Sequence, residues 1–400
     1  MQNVVSLMMR THVRRLAPRT CLALLVAAIA AACGGGGLNT GAAHSPSPAA
    51  ASSASPSAAA SPSPQPSGSP HVSASPQGSP AQTPVAVTGA YGVLVAPPAS
   101  NSYAVSLIGI DGKVVASAQA SSPATVTCAN TAAAVVPQPV STSNTRVYFM
   151  DAQGVIRFLA PSGDTGRATT VPVGSARRSM FAVSPDDKRI AVVVADFVQS
   201  GAATQLYVED LNGGGNHINL FSETGAYTLW PIGWHSSNNL VVAKVPSCTQ
   251  GGGPFCCGPQ ELHVVDPATA DRRFTLGSPT CVVAGAPSPA GVLCENTSFT
   301  AASVVDWTAG VSRTIQLQGA EPAYLSPDGR EVALVTTSFT DLDPISIRRM
   351  EMNACGWIDS RHLLAGGDVQ NQARVGDILA GTTVPVAAFG QCAGRVPGGL

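Results

Sequence analysis

From residue 87 onward, apolar and polar residues alternate in short runs broken by Gly, Pro, Asp and Ser. Alternation with a period of two sets one face of an extended chain in a core and the other in water, so each run predicts a strand. No stretch of this region keeps the 3.6-residue period of a long helix. The runs also repeat. "FAVSPDDKRIAVVVA" (181–195) and "AYLSPDGREVALVTT" (323–337) agree at every structural position. Each is an apolar strand, a Ser-Pro-Asp turn passing through Asp187 or Gly329, and a second apolar strand. "GWHSSNNLVV" (233–242) and "GWIDSRHLLA" (356–365) form a second pair, and "PVSTSNTRVYF" (139–149) keeps the same six-residue step from turn to strand. "AGAPSPAGVLCE" (284–295) shortens it.

The start of that second strand serves as a ruler: Val93, Val147, Ile190, Leu240, Val292, Val332 and Leu363, with steps averaging 45 residues. Several units add a later strand ending in Asp and a turn, as in "LIGIDGK", "LYVEDLNGGG", "LHVVDPATA" and "VVDWTAG". Four strands in about 45 residues is the size of a propeller blade. Through Ser-Pro-Asp-Gly-Arg-x-x-Ala-Leu and the L-Y-V-x-D strand end, residues 87–400 resemble the TolB-like, WD-repeat-like β-propeller family. The expected fold class is all-β: a β-propeller of about seven four-stranded blades, with six or eight left open, behind a disordered linker. The step from Val332 to Leu363 is only 31, so the sixth blade must lack or shorten a strand. The resemblance implies a protein or ligand partner met on one face of the disc.

Ahead of the repeat the pattern changes twice. Four arginines (Arg10, Arg14, Arg15, Arg19) precede "CLALLVAAIAAA" (21–32), an apolar run of 12. A bilayer span needs about 20 apolar residues. A basic start, a short apolar run and small residues at its end make an export signal. "IAAAC" resembles the bacterial lipobox, in which the cysteine receives a diacylglycerol, the signal is cut before it and the new amino group is acylated. That resemblance implies a signal peptide at 1–32, lipidation at Cys33, and an extracytoplasmic protein held to a bacterial membrane by several acyl chains. A plain cleaved signal with an incidental cysteine is the alternative, and inner against outer membrane stays open. Residues 33–86 then run through Gly34–Gly37 into Ser, Pro and Ala, with no charged side chain. Proline removes backbone donors, so neither helix nor sheet propagates and the segment is expected to be a disordered, partly polyproline leash. Its length corresponds to about 40 Å as a coil. His44 and His71 stand alone in it.

Charge narrows the partners. The first acid is Asp111, and from there 18 basic residues face 23 acidic ones. Phosphate backbones need a basic footprint, so nucleic acid is excluded as a partner. Cys21 leaves with the signal. Eight cysteines remain in the head, an even number that suits an oxidised framework. Cys281 and Cys294 flank the "PSP" turn at 287–289, where a simple hairpin sets them opposite each other, and a disulfide is expected there. Cys248 with Cys256 or Cys257, closing "TQGGGPF", is the next pairing suggested; Cys128, Cys355 and Cys392 have no assigned partner.

Chemistry is sparse. There is no G-x-S-x-G elbow, and "SPDG" is not the S-x-D-x-G turn of sialidase-type propellers. "FCCG" and "VVDPATADRRF" are similar to quinoprotein features but are not repeated. His217, His235, His263 and His362 show no ligand spacing. Asp186, Asp187 and Asp328 sit in turns, where Asp accepts backbone hydrogen bonds. No catalytic, cofactor or metal residue is therefore expected. Ser184-Pro185-Asp186 and Ser326-Pro327-Asp328 read as repeat turns, and Trp234 and Trp357, equivalent in the repeat, as inter-blade packing. Trp230 and Trp307 lack that equivalence and are expected to be partly exposed. The insert "VPSCTQGGGPFCCGPQ" (245–260) should project from the fourth blade and carry recognition. The function expected is a membrane-anchored binding or scaffold module for an envelope protein, peptide or glycan. The alternatives are an extracytoplasmic enzyme working through a propeller funnel (hydrolase, lyase or quinoprotein-like) and a purely structural surface protein.

Overall fold

Strand-forming runs separated by tight turns give antiparallel meanders, and that is how the chain folds. The computed structural model describes residues 83–127, 134, 136–198, 201–248, 261–278, 280–319, 322–336, 339–344 and 349–400. The chain divides into a unit of residues 1–73, outside the described residues, and a unit of residues 74–400 that holds every described element. Cys33 and nearly all of the leash, including its histidines, lie outside the described residues.

The first blade begins with β1 (Tyr91–Val95), β2 (Ser102–Gly109) and β3 (Val114–Ser121). The second holds β4 (Val140–Thr142), β5 (Val147–Met150), β6 (Val155–Leu159) and β7 (Thr165–Thr170). The third holds β8 (Arg177–Val183), β9 (Arg189–Val198), β10 (Gly201–Asp210) and β11 (Ile218–Gly225). The fourth holds β12 (Tyr227–His235), β13 (Asn239–Pro246), β14 (Glu261–Val265) and β15 (Arg272–Gly277), with a single 3-10 turn at Ser236–Asn238. The fifth holds β16 (Cys281–Ser288), β17 (Gly291–Asn296), β18 (Ala301–Val305) and β19 (Val311–Gln316). The sixth holds β20 (Ala323–Leu325), β21 (Val332–Val335) and β22 (Thr340–Asp343), and the seventh β23 (Ala354–Trp357), β24 (His362–Ala365), β25 (Arg374–Asp377) and β26 (Thr382–Pro385). The last strand, β27 (Gln391–Val396), returns to pair with β1, so the first blade reads β27-β1-β2-β3.

The protein is thus a seven-bladed β-propeller. Among the described residues six blades have four strands and the sixth has three, at the place where the repeat step is short. The innermost strands contact one another around the ring: β27 with β4, β4 with β8, β8 with β12, β16 with β20, β20 with β23, and β23 with β27. Closure by β27 means that the first blade takes its innermost strand from the far end of the repeat.

The ruler marks the core. Val93, Val147, Ile190, Leu240, Val332 and Leu363 are 0 % exposed and Val292 is 1 %, each on the second strand of its blade. That strand is flanked by sheet on both edges and by neighbouring blades on both faces, so it is the most enclosed position in the repeat. The apolar clusters lie in the seams between blades. Val93, Val105 and Leu107 meet Val147, Phe149 and Leu159 between the first two, and Leu293 and Val304 meet Leu325 and Val332 between the fifth and sixth.

Polar turns join the first two strands of the third and sixth blades. In the third blade Arg189 N donates to Ser184 Oγ (2.9 Å), Ser184 Oγ donates to Asp186 (2.6 Å), and Asp187 N donates to the Ser184 carbonyl (3.0 Å). The sixth blade repeats this with Glu331 N, Ser326 Oγ, Asp328 and Gly329 N. Both serines are fully buried, so the hydroxyl replaces water for a backbone N–H. Gly329 has φ 74° and Asp187 φ 59°, the left-handed region that glycine enters freely and Asp tolerates. Asp187 is held there by the second blade: Thr145 and Tyr148 hydroxyls donate to its two carboxylate oxygens at 2.6 and 2.7 Å.

Candidate functional site

The innermost strands enclose a central channel of about 480 Å³, lined by residues from all seven blades. Its wall is mainly apolar and aromatic, with Phe181, Trp230, Ile232, Tyr324, Leu325 and Trp357, alongside the polar side chains of Gln138, Ser141, Thr142 and Ser288. Burial pushes the Tyr324 phenol above its usual value. On the face of the Ser-Pro-Asp turns, residues 398–400 line the channel mouth. Gly398 N donates to the Ser143 carbonyl (2.7 Å) and Leu400 N to the Trp234 carbonyl (2.8 Å), so this segment crosses from the second blade to the fourth. The crossing is tight. Gly399 has φ 88°, and a Cβ there would lie 2.9 Å from the Pro185 ring. The opposite mouth is bordered by Val136, Pro137 and Gln138, with Gln138 Nε2 donating to Gln391 Oε1 (2.8 Å).

No carboxylate, imidazole or lysine lines this channel among the described residues, and its two cysteines, Cys355 and Cys392, are bonded to each other. Among the described residues its one cation is Arg395 on β27. Burial pulls the guanidinium below its usual value, and Asp359 acts on it in the opposite direction. A channel so equipped can enclose an apolar body and offer one fixed positive charge.

The residues singled out in the sequence are placed as follows. The Trp234 indole donates to the Ala182 carbonyl (3.0 Å) and the Trp357 indole to the Tyr324 carbonyl (2.9 Å). Ala182 and Tyr324 stand at the same position relative to their Ser-Pro-Asp turns, so one cross-blade bond occurs in two seams. Trp230 and Trp307, expected to be partly exposed, are both only 5 % exposed. Trp307 leaves its turn to donate to the Ser288 and Pro289 carbonyls (3.1 and 3.0 Å) and stacks on His235 at 4.9 Å. Non-equivalence in the repeat does not imply exposure, because an indole in a seam gains burial and a partner together.

Cys281 and Cys294 are joined, with Cα atoms 5.2 Å apart. They are not directly opposed: Cys281 pairs with Asn296 and Cys294 with Val283, because the turn sits at Pro289-Ala290 and a bulge follows Ala284. Cys248 is disulfide-bonded, while Cys128, Cys256 and Cys257 lie outside the described residues, as does the insert from residue 249 to 260. What is described of that insert, Val245–Cys248, ends in a bridge to Ala134 of the segment joining the first two blades. The histidines are each engaged locally: His217 with Glu209, His263 with Glu261 and His362 with Asp359, all at 2.9 Å, and His235 with the Leu400 carbonyl at 2.8 Å. Sequence reasoning missed the Cys355–Cys392 pair and Arg395. Recognising "QCAGRV" (391–396) as a closing strand would have exposed the first; nothing in the sequence marks the second.

No protein-family model matches the chain, and no curated protein matches it. Solved structures similar to it include dihydro-heme d1 dehydrogenase NirN in complex with DHE, 15 % identical over 78 % of this chain and 75 % of that one, with a TM-score of 0.45. Another is KlHsv2 with loop 6CD replaced by a Gly-Ser linker, 13 % identical over 76 % and 94 %, TM-score 0.41. A third is the Myceliophteria thermophila Cps50 (Swd1) β-propeller domain, 12 % identical over 63 % and 86 %, TM-score 0.37. The propeller assignment itself rests on the strand order, the ring of contacts and the closing strand described above.

Proposed function

We propose that this chain is an extracytoplasmic propeller, anchored through lipid on Cys33, that binds its ligand at the central channel and performs no chemistry on it. The observation that carries this reading is the channel wall: aromatic, enclosed, and furnished with one cation but no acid–base pair among the described residues. General acid–base catalysis needs a titratable group within hydrogen-bond reach of the reacting atom. Recognition needs an apolar enclosure with few convergent polar groups. The disulfides Cys281–Cys294 and Cys355–Cys392 suit an oxidising, extracytoplasmic compartment. Envelope proteins, peptides and glycans are the partner classes such a head would meet at the end of a leash.

The test combines location with binding. The full chain should fractionate with membranes, and Cys33→Ser should release it. Immobilised protein should retain an envelope component saturably and unchanged in mass. Chemical conversion of the retained component would favour the enzyme, and no saturable retention would leave only a structural role.

A further inference from the structure

Arg395 is the one feature of the channel wall that the fold does not account for. Several other guanidinium groups of the head each have at least one partner, although Arg313 Nε is itself without one. Arg146 lies over the Phe158 ring at 4.1 Å, Arg178 donates to the Ala124 carbonyl (3.2 Å), and Arg313 pairs with Asp343 (3.2 Å). Arg189 lies over the Trp234 ring and donates to the Ser237 carbonyl. The Arg395 side chain makes no hydrogen bond or salt bridge with any described residue, while its backbone sits in the β27–β1 ladder. Asp359, whose charge acts on it, is already committed: its Oδ1 accepts from the backbone N–H groups of Arg361 and His362 and meets the His362 ring. The Arg395 guanidinium is half-buried, and with no direct partner its N–H groups are left to the water of the channel. An arriving anion of matching shape replaces that water with charge-assisted hydrogen bonds.

We propose that the central channel binds a small apolar molecule bearing a single carboxylate, which meets the Arg395 guanidinium while its apolar body lies among Phe181, Trp230, Ile232, Tyr324 and Trp357. This deepens the reading of the channel as the binding site and rests on it. The size follows from the cavity of about 480 Å³, within the range of small-molecule sites. The charge follows from arithmetic on the wall. Among the described lining residues there is one guanidinium and no lysine, second arginine or histidine, so a monoanion matches it in charge and a dianion exceeds it. The carboxylate follows from geometry, since its two oxygens match the planar fork of the guanidinium. With residues 398–400 across one mouth, entry is from the mouth bordered by Gln138 and Gln391.

Isothermal titration of the purified full chain with 4-phenylbutyrate, its neutral amide and phenyl phosphate tests this. The acid should bind one to one, and the amide and the phosphate about tenfold or more weakly. Arg395→Gln should weaken the acid by a similar factor and leave the amide unchanged, and Arg395→Lys should recover part of the loss. If Arg395→Gln does not fold, the acid-to-amide ratio on the unaltered chain and the lysine variant decide. Equal affinity for acid and amide overturns the carboxylate assignment while keeping the channel as an apolar site. Tighter binding of phenyl phosphate overturns the single-charge argument. Binding of neither acid nor amide overturns the small-carboxylate ligand, while the channel reading itself stands or falls on retention of an envelope component.

Discussion

At the scale of single residues, the indoles in the seams and one buried carboxyl carry the testable energetics. Trp234→Ala and Trp357→Ala each remove a buried ring together with a hydrogen bond to the preceding blade, at an expected cost of about 3–5 kcal/mol. Because the two bonds are equivalent, thermal unfolding should show similar losses; a loss confined to one variant would deny the equivalence. Glu295 on β17 is 4 % exposed, its Oε1 has no partner, and burial pushes its carboxyl up to about 7. Its folded pKa lies above the unfolded one, so the stabilisation is fully present below the ordinary carboxyl range and is lost as pH rises through about 7. The expected loss between pH 5 and 9 is on the order of 3 kcal/mol. Glu295→Gln should flatten the melting temperature over that range; parallel curves for both proteins would contradict this. The ruler residues were legible in the sequence because seven positions shared one constraint. Arg395 and Glu295 were not, since a single polar residue in an apolar run looks the same whether it faces water, a seam or a channel.

Among the elements, β27 and its disulfide matter most. A propeller opens where its ring is joined, and here the join is β27 against β1. Cys355–Cys392 ties β23 to β27, fastening the seventh blade to the strand that completes the first. On loop-entropy grounds, a pair 37 residues apart should contribute about 4 kcal/mol and one 13 residues apart about 3. Urea denaturation of Cys355→Ala/Cys392→Ala should therefore show the larger loss, with a broadened transition as the ring opens. A smaller loss than that of Cys281→Ala/Cys294→Ala would mean that the closing strand holds without its staple. Blade strands were readable from alternation and turn chemistry, and the three described strands of the sixth blade fall where the repeat step is short. Closure was not, because it pairs segments about 300 residues apart and neither one signals the other. The register at Cys281 and Cys294 was also beyond the sequence: a bulge shifts the pairing by residues that a symmetric turn would set opposite.

For the whole molecule, the closed ring is what the structure describes, and attachment through Cys33 and recognition at the channel are the proposals to be tested. Cys33→Ser should move the protein from the membrane fraction to the soluble one without altering the melting temperature of the head. Sedimentation of the variant with membranes at high salt would place the attachment elsewhere. The exposed Ala286 on β16 lines the channel, so a large side chain there narrows the space without displacing packed neighbours. The most direct measurement is saturable retention of an envelope component by the unaltered chain and by Ala286→Trp, at matched melting temperatures. The account expects retention to be lost in Ala286→Trp; undiminished retention by that variant would contradict recognition at the channel.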